Sequence, residues 1–162
     1  MSKAKVALVG CDFVGMSLGM AIKRALGEVE VVGHDKDRDA MRRAENAKAI
    51  DRGEWNLPNA CDRAAAIFIS GAPDELSVTL RAIAPDLGPN TLVVAVGGPN
   101  VAALKTAEGL LAENVPFFST ALIYHPDRVN GTPDLPDADS IRDAIWTVVP
   151  SHGASTEMVD MF

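Results

Sequence analysis

Gly10, Gly15 and Asp35 have the residue types and spacing to hold a dinucleotide. In the stretch "VALVGCDFVGMSLGMAIKRA", Val6 to Ala25, an apolar run ends at Gly10 and a helical pattern follows Gly15. A glycine that ends a strand allows a tight turn, and one that opens the helix lets helix and strand pack closely. The N-terminus of that helix offers unpaired N–H groups and the positive end of a dipole to a phosphate. Asp35 closes the next apolar run, 25 positions after Gly10 and beyond the usual spacing of about 20. Its carboxylate can accept both ribose hydroxyls of NAD and would repel the 2′-phosphate of NADP. Lys36 and Arg38 follow it.

Gly10, Asp12, Phe13, Val14 and Gly15 are therefore the candidate contacts for the pyrophosphate, with Asp35 for the ribose. Asp12 stands where the pattern has its second glycine, whose bare backbone normally approaches the pyrophosphate. A carboxylate there either points outward or faces the phosphates and opposes them. The competing reading is a purely structural strand–turn–helix with a surface aspartate.

The elements that must carry these residues alternate. Strand patterns are expected at Lys5–Gly10, Glu28–Asp35, Ala64–Pro73, Pro89–Gly98, Val115–Tyr124 and Ala144–Pro150. Helical patterns are expected at Met16–Leu26, Asp37–Ala47, Asp74–Leu87 and Asn100–Glu113, with a further helix opening at Ser155. On the first of these helices Leu18, Ala21, Ile22, Ala25 and Leu26 share one face. Asp37 or Asp39 caps the second, and Asp74 and Glu75 lie in the first turn of the third. Residues 127–143, rich in Asp, Pro and Gly, read as a loop with a short helix. This alternation predicts an α/β fold, doubly wound and Rossmann-like, with a mostly parallel sheet of about six strands. Ligands would then collect at the carboxyl ends of the strands.

Composition narrows the function classes. The 162 residues are 48% hydrophobic, with a formal net charge of -7. That balance suits one globular domain and disfavours nucleic acid or an anionic membrane as partner. Cys11 and Cys61 have no metal or redox spacing, nor have His34, His125 and His152. Cys11 reads as a small residue in a tight loop. No stretch is apolar and long enough for a membrane span, the N-terminus has no signal-peptide core, and a cytoplasmic location is the expectation. Trp55 and Trp146 read as packing groups, the Arg42–Arg43 pair as a solvated helix face, and Tyr124 as a core residue or one near the nicotinamide.

The chain resembles the cofactor domain of prephenate and arogenate dehydrogenases, the TyrA-type enzymes of tyrosine biosynthesis. The resemblance rests on "VGCDFVGMSLGMAIKRA", "VVGHDKDRDAMRRAENAKAID", "IAPDLGPNTLVVAVGG" and "YHPD", and runs from Lys5 to about Pro150. It implies an NAD-dependent oxidoreductase with the nicotinamide near Gly71, Ala72, Pro73 and Gly97. It also implies a catalytic role for His125, which would polarise or deprotonate the ring hydroxyl of the substrate. Without the resemblance, a histidine before Pro126 is mostly a strand-end residue. The partners implied are nicotinamide dinucleotide and a small-molecule substrate, with a homodimer as the candidate assembly.

The chain departs from the family at several places. Where the family has Asp-x-Gly-Ser-x-Lys after the fourth strand, the sequence reads Ala95-Val96-Gly97-Gly98-Pro99-Asn100. After His125-Pro126 it reads Asp127-Arg128-Val129-Asn130 in place of Met-Ala-Gly. Ser70 or Asn100 could stand in as polar partners, and Arg128 could meet a substrate carboxylate or pair with Asp127. Residues 1–162 are expected to form a single dinucleotide-binding domain, without the family's helical dimerisation domain. These gaps keep a second reading open, that of a nucleotide-binding or interaction domain without catalysis.

Overall fold

The computed structural model describes residues 3–98, 101–123, 136–142, 144–151 and 153–160. In chain order the elements are β1 (Ala4–Val9), α1 (Phe13–Leu26), β2 (Val29–His34), α2 (Arg38–Asn46), β3 (Arg52–Gly53) and α3 (Leu57–Cys61). There follow β4 (Ala66–Ser70), α4 (Leu76–Ile83) with a 3-10 turn at Ala84–Asp86, β5 (Leu92–Val96) and α5 (Val101–Leu110). The chain continues through β6 (Phe117–Ile123), α6 (Ala138–Arg142), β7 (Ile145–Pro150) and α7 (Thr156–Val159).

The sheet has seven strands in the order β3-β2-β1-β4-β5-β6-β7. β1 to β6 pair in parallel, and β7 runs antiparallel to β6. This is the doubly wound α/β arrangement that the alternation of patterns predicts. Successive residues of β1 serve opposite layers, as a pleated strand buried on both faces requires. Val6 and Leu8 pack with Met16 and Leu18 of α1 and Met41 of α2. Ala7 and Val9 pack with Leu76, Leu80 and Ile83 of α4. The chain winds outward in both directions from β1, so β1 and β4 meet at the topological switch point, where a crevice opens at their carboxyl ends.

Four expectations change on inspection. α1 begins at Phe13, three residues before the apolar pattern starts, because Asp12 caps it. Ala25 and Leu26 are not on its buried face: both are exposed at the helix end, Leu26 by 63%. Trp55 is exposed under the Arg38 guanidinium, which lies 4.1 Å from the ring centroid. Trp146, by contrast, packs half-buried against the core. α4 starts at Leu76, and Glu75 stands at its cap position without a side-chain capping bond. The two-residue strand β3 and the short helix α3 have too few residues to leave a periodic pattern in the sequence. Among the described residues no helix is long and apolar enough to cross a membrane.

Candidate functional site

β1 ends at Val9, and the chain turns at Gly10 with a φ of 96°. A side chain is strained in that conformation, and a Cβ at Gly10 would run into the Ser70 carbonyl at the end of β4. The turn is held by the Gly10 N–H, which donates to the His34 carbonyl at 2.9 Å. A Cβ at Gly15 would in turn run into the Gly10 carbonyl, so helix and turn touch through bare backbone.

Asp35 lies just past β2 and is half-buried. Its Oδ2 accepts the Cys11 N–H at 2.7 Å, and its Oδ1 accepts the Asp37 N–H at 2.8 Å. One carboxylate thus ties the glycine turn to the end of the neighbouring strand. Each oxygen keeps a further lone pair for a hydroxyl donor.

The Asp12 side chain lies at the N-terminus of α1, the end that a phosphate would approach. It folds back on its own helix: Oδ1 accepts the Gly15 N–H at 2.7 Å. The Ser70 hydroxyl donates to the same carboxylate, at 2.8 Å to Oδ1 and 3.0 Å to Oδ2. An N-cap carboxylate satisfies a free N–H and gains from the helix dipole, and these two effects decide the orientation. The consequence for a ligand is specific. The first turn of α1 already holds one negative charge and has committed the Gly15 N–H.

Ser70 is therefore engaged with Asp12, with its one hydroxyl proton spent there, and is not free to donate to a histidine. This pairing links positions 58 residues apart, and the sequence offers no local signal for it. Phe13 and Val14 form the first turn of α1, with Val14 packed against the core.

A cavity of about 190 Å³ opens at the carboxyl ends of β4 and β5. Gly71, Ala72 and Pro73 line one side, Gly97 and Gly98 the other, with Thr79 of α4 and Ala103 of α5 behind. The Gly97 and Gly98 N–H groups both donate to the Thr120 carbonyl, at 3.1 and 3.0 Å, which fixes the β5 side. Four of the expected residues, Gly71, Ala72, Pro73 and Gly97, thus share one cavity, and Gly10, Asp12, Gly15 and Asp35 share one turn beside it. His125, Tyr124, Pro126, Asp127, Arg128, Asn130, Pro99 and Asn100 lie outside the described residues.

Burial first, then the carboxylates of Asp35 and Asp12, push the Cys11 thiol up to about 12. Burial does the same to Cys61. Arg42 and Arg43 are solvent-facing, paired with Asp39 and Asp37.

No family model and no curated protein matches the sequence. Solved structures do match. The prephenate dehydrogenase of Aquifex aeolicus, in complex with hydroxyphenyl propionate and NAD+, aligns over 99% of this chain with a TM-score of 0.79 and 15% identity. The arogenate dehydrogenase of Synechocystis aligns over 97%, with a TM-score of 0.80 and 18% identity. The pyrroline carboxylate reductase of Plasmodium falciparum with NADP bound aligns over 99%, at 0.68 and 13%. What the chain shares with them is the doubly wound α/β fold. The chain spans about half of those proteins, 55%, 54% and 53% of their respective lengths.

Proposed function

We propose that this chain is the NAD-binding part of an oxidoreductase of the prephenate and arogenate dehydrogenase type. The observation that carries the proposal is the turn from Gly10 to Gly15. It sits at the switch point of a doubly wound sheet, opens a helix toward the crevice, and is bonded to an acidic residue at the end of β2. That combination meets the physical needs of a dinucleotide: close backbone approach, a helix N-terminus and a ribose acceptor. The dehydrogenase of Aquifex aeolicus that shares the fold holds NAD+ in its solved complex.

The residues fit the cofactor in all but one respect. Gly10, Phe13, Val14 and Gly15 would face the pyrophosphate, Asp35 the ribose, and Gly71, Ala72, Pro73 and Gly97 the nicotinamide in its cavity. Asp12 is the misfit, since its carboxylate adds like charge at the phosphate end. Bound there, the nicotinamide would supply a hydride acceptor for a carbon that bears a hydroxyl. His125 is the residue that the resemblance nominates to take the hydroxyl proton, and a cyclohexadienol such as prephenate or arogenate is the nominated substrate. Oxidative decarboxylation would follow, with a soluble dinucleotide and a small molecule as the partners. Residues 1–162 would act as one nucleotide-binding domain.

The position of Asp12 favours a second reading. A domain that has placed its own carboxylate on the Gly15 N–H, and has Gly97-Gly98 where the family has a polar run, is one that could bind nucleotide without turnover. Two assays separate the readings. A rise in absorbance at 340 nm that needs both NAD+ and prephenate, and that is lost in His125→Ala, supports the enzyme. Saturable NADH binding without such a rise supports the binding domain.

A further inference from the structure

Lys36 follows Asp35 directly, and Glu75 opens α4 on the other side of the glycine turn. Their side chains meet, Nζ to Oε1, at 2.8 Å. β2 and β4 flank β1, so their ends stand about 10 Å apart, and the bridge crosses the crevice between them. Glu75 Oε2 hangs over Gly71, 3.9 Å from the place of a Cβ there. One ion pair thus joins the ribose end of the crevice to the β4 end.

The other cations close to Asp35 in sequence have partners of their own. Arg38 stacks on Trp55, Arg42 bonds Asp39 at 2.8 Å, and Arg43 stands 3.6 Å from Asp37. The Lys36 ammonium is held in its charged form chiefly by the Glu75 hydrogen bond, with Asp35 and Asp74 adding to the field. A 2′-phosphate on the ribose would bring about one and a half to two further negative charges beside Asp35. It would need a free cation within a few ångströms to offset them.

We propose that Glu75 is a specificity-determining residue: by holding Lys36 across the crevice it withholds that ammonium from a 2′-phosphate and turns the site toward NAD and away from NADP. The inference rests on the proposed nucleotide site. Both side chains are solvent-exposed, so the pair contributes little to folding and can be cut without unfolding the chain. For the same reason its effect on selectivity is modest and weakens with salt.

The test is calorimetric titration of NAD+ and NADP+ at low ionic strength into the wild type, Glu75→Gln and Glu75→Gln/Lys36→Gln. The readout is the ratio of the two dissociation constants, in which any general effect of opening the crevice cancels. Glu75→Gln is expected to shift the ratio toward NADP by about two- to fivefold. Adding Lys36→Gln is expected to reverse the shift. A ratio that stays fixed in Glu75→Gln, with NAD+ still bound, overturns the role given to Glu75. A wild type that binds neither nucleotide overturns the site itself, and that result is distinct from a fixed ratio.

Discussion

The Asp12 carboxylate holds the Gly15 N–H and the Ser70 hydroxyl at once, so cutting the side chain removes a cap and orphans a hydroxyl. Asp12→Ala is expected to cost about 1–2 kcal/mol in urea unfolding. Asp12→Asn should behave differently. Asparagine caps a helix as well as aspartate does, so stability should stay within about 0.5 kcal/mol of wild type. The charge at the phosphate end disappears, and NADH should bind more tightly. Weaker NADH binding in Asp12→Asn would show that the charge does not oppose the ligand. Cys11 and Cys61 are 3% and 4% exposed, and both thiols are pushed up to about 12. Neither should react with a thiol reagent at pH 8 until the chain is unfolded, when both should react; fast labelling of the native protein would contradict their burial. That Asp12 was out of place in a glycine pattern could be read from the sequence. Its orientation could not, because a cap depends on which residue begins the helix and on Ser70, brought in by a distant strand.

At the scale of elements, α1 packs on the segment between α2 and β3 through Gly19, where a Cβ would run into the Ala49 carbonyl. Backbone cannot give way as a side chain end can. Gly19→Ala is expected to destabilise by about 1–3 kcal/mol despite the better helix propensity of alanine. The same segment explains the Ala49-Ile50-Asp51 run quoted in the resemblance. Ala49 and Ile50 are buried, and Ile50 fills the space over Gly33 of β2. Asp51 accepts the Val31 N–H at 2.8 Å and pairs with Lys23 of α1 at 2.6 Å. Partial burial works against the Asp51 carboxylate, yet the bonds from Lys23 and Val31 outweigh it and its pKa falls below the ordinary value. A carboxyl lowered in the folded state adds stability above its unfolded pKa, about 3.9, and loses it as pH falls through the lower folded value. Asp51→Asn should therefore show a shallower loss of stability below about pH 4 than the wild type, in unfolding curves taken across that range. An equal slope would show that the bonds do not favour the charged form. The strands from Lys5 to Gly10 and Pro89 to Gly98 were legible because buried parallel strands are continuous apolar runs. β3 was not, since its place is set by pairing with Val32 and Gly33 and not by its own residues.

For the whole molecule, alternation of apolar runs with helical patterns was enough to predict a doubly wound sheet, because right-handed crossovers leave few other arrangements. The antiparallel direction of β7 was not legible, because an apolar run reads the same whichever way its strand pairs with β6. The crevice at β1 and β4 follows from strand order alone, whereas the Asp12–Ser70 and Lys36–Glu75 links join residues far apart in sequence and leave no local pattern. Nucleotide binding at that crevice is the claim on which the rest depends. It is tested most directly by titrating the protein into NADH and following nicotinamide fluorescence, with Asp35→Ala as the control. A saturable rise with one site per chain, lost or weakened at least about tenfold in Asp35→Ala, is the expected result. A signal that stays linear to millimolar protein, or one equally strong in Asp35→Ala, would contradict it.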